Sequence, residues 1–186
     1  MKNLTIILLI FLSSCKSETK SEHKTENGID KSVYEMWERY TQSNPDIKDK
    51  ELPDSWYFHD NKEDANRLAE LTVNGVKRAT TSGLYAWYKE ANANLPQVGT
   101  IQIITDFEGK AQAIIETTKV DTIPFNQISK EYAALDIGTN IEPLEKWKKA
   151  HWDYLSRVMK ENGEKPTEEM LLVCEWFKTI WTEKNH

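Results

Sequence analysis

Residues 100–120 read "TIQIITDFEGKAQAIIETTKV". Residues 100–106 and 111–120 are rich in β-branched side chains, and the "FEGK" between them carries a glycine at the turn. The stretch therefore predicts a β-hairpin, entered through the punctuation of Pro96 and Gly99. Outward from the hairpin, helical and strand patterns mix without regular alternation and without internal repeats. That order predicts an α+β class with a mainly antiparallel sheet, open or curled into a small barrel.

Upstream, Val33, Met36, Trp37 and Tyr40 share one helical face. Pro45 and Pro53 end that segment, and residues 55–59 ("SWYFH") form a short aromatic strand pattern. Asp60 stands three residues before Glu63, the spacing of a capping box. Ala65, Leu68, Ala69 and Thr72 continue that helix, and Gly75 suits the left-handed position beyond its end. Thr81 or Ser82 is then expected to cap a further helix carrying Leu84, Trp87, Tyr88 and Ala91.

Downstream, "FNQISKEYAALD" after Pro124 predicts a short helix and turn. Pro143 opens a long helix with Leu144, Trp147, His151, Tyr154, Leu155 and Val158 inward and Gly163 past its end. The last strand pattern, "MLLVCEWFKTIW", contains an anomaly. Alternation puts Glu175 on one face with Leu171, Val173, Phe177 and Trp181. A carboxylate so flanked needs a partner or must stay protonated. Lys77 or Arg78 is the expected partner.

The first residues stand apart from the fold. Leu4 to Leu12 is almost wholly apolar, and nine helical residues rise only ~14 Å, about half a bilayer core. Residues 1–14 therefore predict a signal peptide rather than a membrane span. Leu12-Ser13-Ser14-Cys15 resembles the lipobox of bacterial lipoproteins, which implies cleavage before Cys15 and lipidation of its thiol. Residues 15–30, nearly free of apolar side chains, are expected to be a flexible tether, and residues 31–186 the folded domain. With Cys15 taken by the anchor, Cys174 is the second of two cysteines, and no disulfide can form within the chain.

The net charge is -6, and removing Lys2 with the leader makes the remainder one unit more negative. Such a balance argues against a generic nucleic-acid surface, so RNA is the less fitting partner. The most compact basic and hydroxylic cluster is "NGVKRATTSG" at residues 74–83. There, Lys77 and Thr80 can bring a cation and a hydroxyl to one pocket mouth, the groups that polarise and attack a carbonyl. His59, Asp60, His151 and Asp153 lack zinc-site spacing, and no phosphate loop or dinucleotide fingerprint occurs, so neither metal nor cofactor is expected. Trp56, Trp87 and Trp152 are available to stack on a base.

The order of these pieces resembles the ASCH domain, in its larger bacterial subgroup. The resemblance rests on "SWYFHDNKEDANRLAEL", "GVKRATTS", the hairpin through "TIPF", "EKWKKAHWDY" and "LLVCEWF". It implies a PUA-like barrel with a cleft beside a Gly-x-Lys-x-Ala-Thr motif, carried here by Gly75, Lys77, Ala79 and Thr80. Some relatives are amidohydrolases of acetylcytidine nucleosides and some cleave RNA; in the former a lysine, a threonine and an acid form the catalytic set. Lys77 and Thr80 match the first two. The acid falls where the subgroup shows Glu-Gly-Glu-Gly and this chain reads Leu135-Asp136-Ile137-Gly138-Thr139, so Asp136 is the nearest candidate.

Three functions follow as expectations. The first is a membrane-anchored cleft for a nucleoside-like or RNA-related ligand, with Trp56, Arg78, Thr81, Ser82 and Glu175 as binding residues. The second is an amidohydrolase of acylated cytidines using Lys77, Thr80 and Asp136. The third is a non-catalytic structural or interaction lipoprotein. All place the protein at the bacterial cell envelope, outside the cytoplasm, held by the lipid on Cys15. As a spacing alone, Lys-x-x-Thr reads as a solvated lysine beside a capping threonine, so truncation of Lys77 is expected to leave thermal unfolding nearly unchanged.

Overall fold

A computed structural model describes residues 25–26, 28–47 and 50–183. The leader, Cys15 and most of the tether lie outside these residues. At the tether's end, β1 (Thr25–Glu26) pairs antiparallel with β2 (Ile29–Asp30). Asp30 also caps α1 (Lys31–Ser43), its carboxylate accepting the Ser32 N–H at 2.9 Å. The helix buries the four residues its periodicity marks: Val33, Met36, Trp37 and Tyr40.

Strand β3 covers only Ser55–Trp56, because the chain bends through Tyr57 to Asn61 with His59 at φ +64. The following helix α2 (Lys62–Val73) is capped by Asn61, whose side-chain oxygen accepts the Asp64 N–H at 2.9 Å. The Asp60–Glu63 capping box therefore does not form, and Asp60 instead pairs with Arg157. After Gly75 at φ +67, the N–H groups of Val76 and Lys77 both donate to Leu71 O, closing the helix end.

The chain then enters β4 (Ala79–Leu84) directly. Thr81 and Ser82 are strand residues, not caps, and α3 (Tyr85–Glu90) begins at Leu84 with no side-chain cap. β-Branched Thr80 and Thr81 suit a strand as well as a cap, and pairing with the last strand decides between them. Next come β5 (Ile101–Thr105) and β6 (Ala111–Pro124), the expected hairpin. They are followed by α4 (Lys130–Ile137), α5 (Pro143–Glu161) and β7 (Leu171–Thr182).

The five long-range strands run in the order β3-β5-β6-β7-β4, antiparallel except for the parallel β3–β5 pair. Register shifts between Ile114 and Ile115 and between Thr117 and Lys119 let β6 bend along β7. The class is α+β and PUA-like, with helices packed on both faces of the curled sheet. Ile103 and Ile114 meet Val33 and Met36 of α1, whereas Ile104 and Ile115 meet Leu68 and Ala69 of α2. Leu172 and Cys174 pack on Tyr132 of α4 and Trp147 and Leu155 of α5.

One glycine locks α4 to α2. Gly138 follows α4 at φ +72, and a Cβ there would lie 2.6 Å from Leu71 Cδ1. Gly138→Ala is therefore expected to cost about 1–3 kcal/mol from the left-handed backbone alone, before the clash adds to it. Urea unfolding with an unchanged midpoint would contradict this packing.

Candidate functional site

A cavity of about 540 Å³ opens where β4, α5 and the bend after β3 meet. At its wall Lys77 is only 1 % exposed, because the turn after α2 directs it inward beneath α4. Its three ammonium protons are all engaged: Ala79 O accepts at 2.7 Å, Asp136 O at 2.5 Å and Asp136 Oδ1 at 2.7 Å. The ammonium also lies 4.5 Å from the centre of the Phe58 ring.

Asp136 is equally surrounded. Its Oδ2 accepts from Trp147 Nε1 at 2.8 Å and from Thr81 Oγ1 at 2.9 Å, and His151 Nε2 stands 3.5 Å away. Tyr132, one turn before Asp136 on α4, donates its hydroxyl to Thr80 O at 2.8 Å and lies 3.0 Å from Thr81 Oγ1. On α5, His151 stacks on Trp147 one turn earlier, with ring centres 4.0 Å apart. Its Nδ1 is 3.0 Å from Trp147 O. A carbonyl oxygen only accepts, so Nδ1 carries a proton, while Nε2 faces Asp136, where a second proton makes the ring a cation.

These contacts set the protonation states. Burial alone would raise the Asp136 carboxyl, but the Lys77 and His151 charges, with hydrogen bonds from Lys77 and Trp147, hold it below its usual value. Burial lowers the Lys77 ammonium more than Asp136 raises it. With three donors on three acceptors, the geometry is that of an ammonium against a carboxylate. Burial also lowers His151 against the pull of Asp136. It pushes Tyr132 well above its ordinary range and Cys174 up to about 12, so neither hydroxyl nor thiol supplies an anion.

On the opposite wall Thr80 of β4 pairs in register with Glu175 of β7. Glu175 is 5 % exposed and accepts from Thr117 Oγ1 at 3.3 Å. Burial raises its carboxyl above the usual range, opposed by the hydroxyls of Ser82 and Thr117. Neither expected cation reaches it, since Lys77 is committed to Asp136. Arg78 is exposed and outside the cavity; its backbone N–H donates to Leu135 O and its carbonyl accepts from Phe177.

Lys77, Thr80 and Asp136 thus border one cavity, together with Trp56, Thr81, Ser82 and Glu175. Arg78 faces away, and Trp152, available in the sequence to stack on a base, packs on Phe125 instead of lining the cavity. Sequence reasoning missed Tyr132 and Trp147 as supports of the acid and left His151 as a packed residue. The signal was present in two helical pairs four residues apart, Tyr132 with Asp136 and Trp147 with His151. Among the described residues, no group of three or more His, Cys, Asp and Glu side chains is arranged to hold a metal.

A model of the ASCH domain matches residues 54–181. The chain belongs to the ASCH domain family. Among solved structures, it is similar to an ASCH domain from Lactobacillus crispatus JV V101, with 35% identity and a TM-score of 0.74. That alignment covers 82% of this chain and 96% of the other. It is also similar to a protein from Enterococcus faecalis V583, with 32% identity, a TM-score of 0.71, and coverage of 81% and 88% respectively. No curated protein matches it. In this ASCH domain the Gly75-x-Lys77-x-Ala79-Thr80 segment is the turn and first strand residues that enter the cavity wall. Among the described residues, no helix is long and apolar enough to cross a membrane.

Proposed function

We propose that this ASCH domain binds a nucleoside-like heterocycle in the cavity beside Lys77 and Asp136, at the cell envelope on a lipid anchor at Cys15. One observation carries the reading: a buried ion pair, a threonine and a buried acid converge on a single cavity of about 540 Å³. That volume lies within the range of small-molecule sites, about 300–1,000 Å³, and few convergent polar groups among aromatic walls are typical of them. Trp56, Trp87 and Tyr88 supply the aromatic surface. The net charge of -6 favours a small neutral ligand over an RNA strand.

Calorimetry of the whole chain against cytidine, acetylcytidine, uridine and adenosine tests the proposal. Trp56→Ala is expected to weaken the best of these about tenfold to a hundredfold, as loss of a base–aromatic stack does. Flat titrations across the panel overturn the reading.

Amide hydrolysis is the second reading, favoured by the contact of Lys77 Nζ with Asp136 Oδ1 and by Thr80 on the same cavity. For Lys77 to act as a base it must first lose a proton, and Asp136 Oδ1 is the one acceptor among its three that can take it. Release of acetate from acetylcytidine by the wild type but not by Thr80→Ala supports this reading; equal release by both removes it.

A further inference from the structure

Glu175 sits in the cavity as an acid without a counter-ion. Among the described residues no ion pair includes it, and the basic side chains bordering the cavity are engaged elsewhere: Lys77 and His151 with Asp136, Arg67 with Asp64 at 3.0 Å, and His59 with Asp60 at 2.8 Å. The groups facing it from neighbouring strands are hydroxyls, Ser82 from β4 and Thr117 from β6. Lys77 and Asp136 line the same cavity but neutralise each other. A carboxylate 95% removed from water with only hydroxyl partners is costly, so the site biases this carboxyl toward its neutral form.

We propose that Glu175 reads the ligand as a neutral carboxylic acid, so that the cavity selects heterocycles presenting one hydrogen-bond donor beside one acceptor. This deepens, and rests on, the nucleoside-type reading of the site. A neutral carboxyl offers one O–H donor and one carbonyl acceptor, whereas a carboxylate offers acceptors only. The neutral form complements a ring nitrogen next to an exocyclic N–H, as in cytosine or adenine, or a lactam edge, as in uracil. The ionised form would instead take two-donor cations such as amidinium or guanidinium. Thr80, directly opposite Glu175, borders the same space and limits where such an edge can lie.

The two forms separate in calorimetry of the whole chain, with cytidine as ligand and benzamidine as competitor, between about pH 5.5 and about pH 8.5. If Glu175 acts as a neutral acid, wild-type affinity falls as pH rises through its midpoint, toward about tenfold per pH unit. Glu175→Gln, which keeps one donor and one acceptor, stays within about threefold of the wild type and loses that pH dependence, while Glu175→Ala loses about tenfold or more. Benzamidine does not compete. Cytidine binding by Glu175→Ala at wild-type strength overturns the proposal. So does loss of binding in Glu175→Gln together with competition by benzamidine, provided thermal melts show that variant folded. A wild type that binds none of cytidine, adenosine and uridine removes the nucleoside reading itself. A wild type that binds while the Glu175 variants misbehave removes only the role of this acid.

Discussion

Asp136→Ala is expected to cost about 3–5 kcal/mol of stability, because it strands the Lys77 ammonium in the interior. The side chains of the pair are only 2% and 6% exposed, so water cannot replace the lost carboxylate. Lys77 would keep the carbonyl of Ala79 and the backbone carbonyl at position 136, but no negative charge. The Trp147 Nε1–H and the Thr81 hydroxyl would lose their acceptor in the same step. At about 2–4 °C per kcal/mol for a domain of this size, the melting temperature should fall by roughly 6–20 °C. Lys77→Met combined with Asp136→Leu should recover the part due to the stranded ammonium, since a buried ion pair adds little over apolar side chains of similar volume, but not the part due to the acceptor that Trp147 and Thr81 lose. The same pair predicts an acid limb. The folded state holds the Asp136 carboxyl below its unfolded value, so its contribution is complete above the unfolded pKa and is lost as pH falls through the folded one. Scanning calorimetry of the single and double variants decides the matter; an Asp136→Ala melt within a degree or two of wild type would mean that the pair is not buried as described. Lys77→Ala should also destabilise, contrary to the expectation of a solvated lysine, because it leaves the carboxylate unpaired.

That contrast marks where the sequence stops being legible. The faces of α1, α2 and α5 and the β5–β6 hairpin could be read directly, because burial of one face imposes a period that local composition displays. Strand β4 could not. Threonine serves both as a cap and as a strand residue, and only the register Thr80↔Glu175 with a segment nearly a hundred residues away decides. The depth of Lys77 was hidden for the same reason: its partner is 59 residues distant, and the turn that aims it inward is set by Leu71. Asp136 carries one methylene fewer than the glutamates of the subgroup pattern, and the fold makes up the reach. The end of α4 lies so close to Lys77 that even the backbone carbonyl of Asp136 bonds to it. Gly138 permits that approach by carrying no Cβ against Leu71. Arg78 misses the cavity because alternation along the extended chain leaving the turn sends it outward beside an inward Lys77.

Trp147→Ala should be comparably damaging, at about 3–5 kcal/mol, and comparison with Trp147→Phe separates packing from polarity. The indole has no exposed surface and packs against Phe125, Tyr132 and His151, with ring centres 5.3, 6.3 and 4.0 Å away. Alanine empties that volume and removes the Nε1–H that satisfies Asp136 Oδ2. Phenylalanine retains most of the ring contact and removes only the donor, which should cost about 1.5–3 kcal/mol because the acceptor is charged. Urea unfolding reads both values, and near-equal losses would show that ring volume carries little of the effect. The phenylalanine variant also reports on the site. With one donor fewer, Asp136 is less strongly favoured as an anion, so its acid limb should move to higher pH than in the wild type. His151, facing a carboxyl with one donor fewer, should titrate differently as well, and proton NMR of its ring would follow that change. An unmoved acid limb in a destabilised Trp147→Phe protein would mean that Lys77 and His151 fix the charge on Asp136 without the indole. The aromatic support beneath the cavity would then serve the core rather than the site.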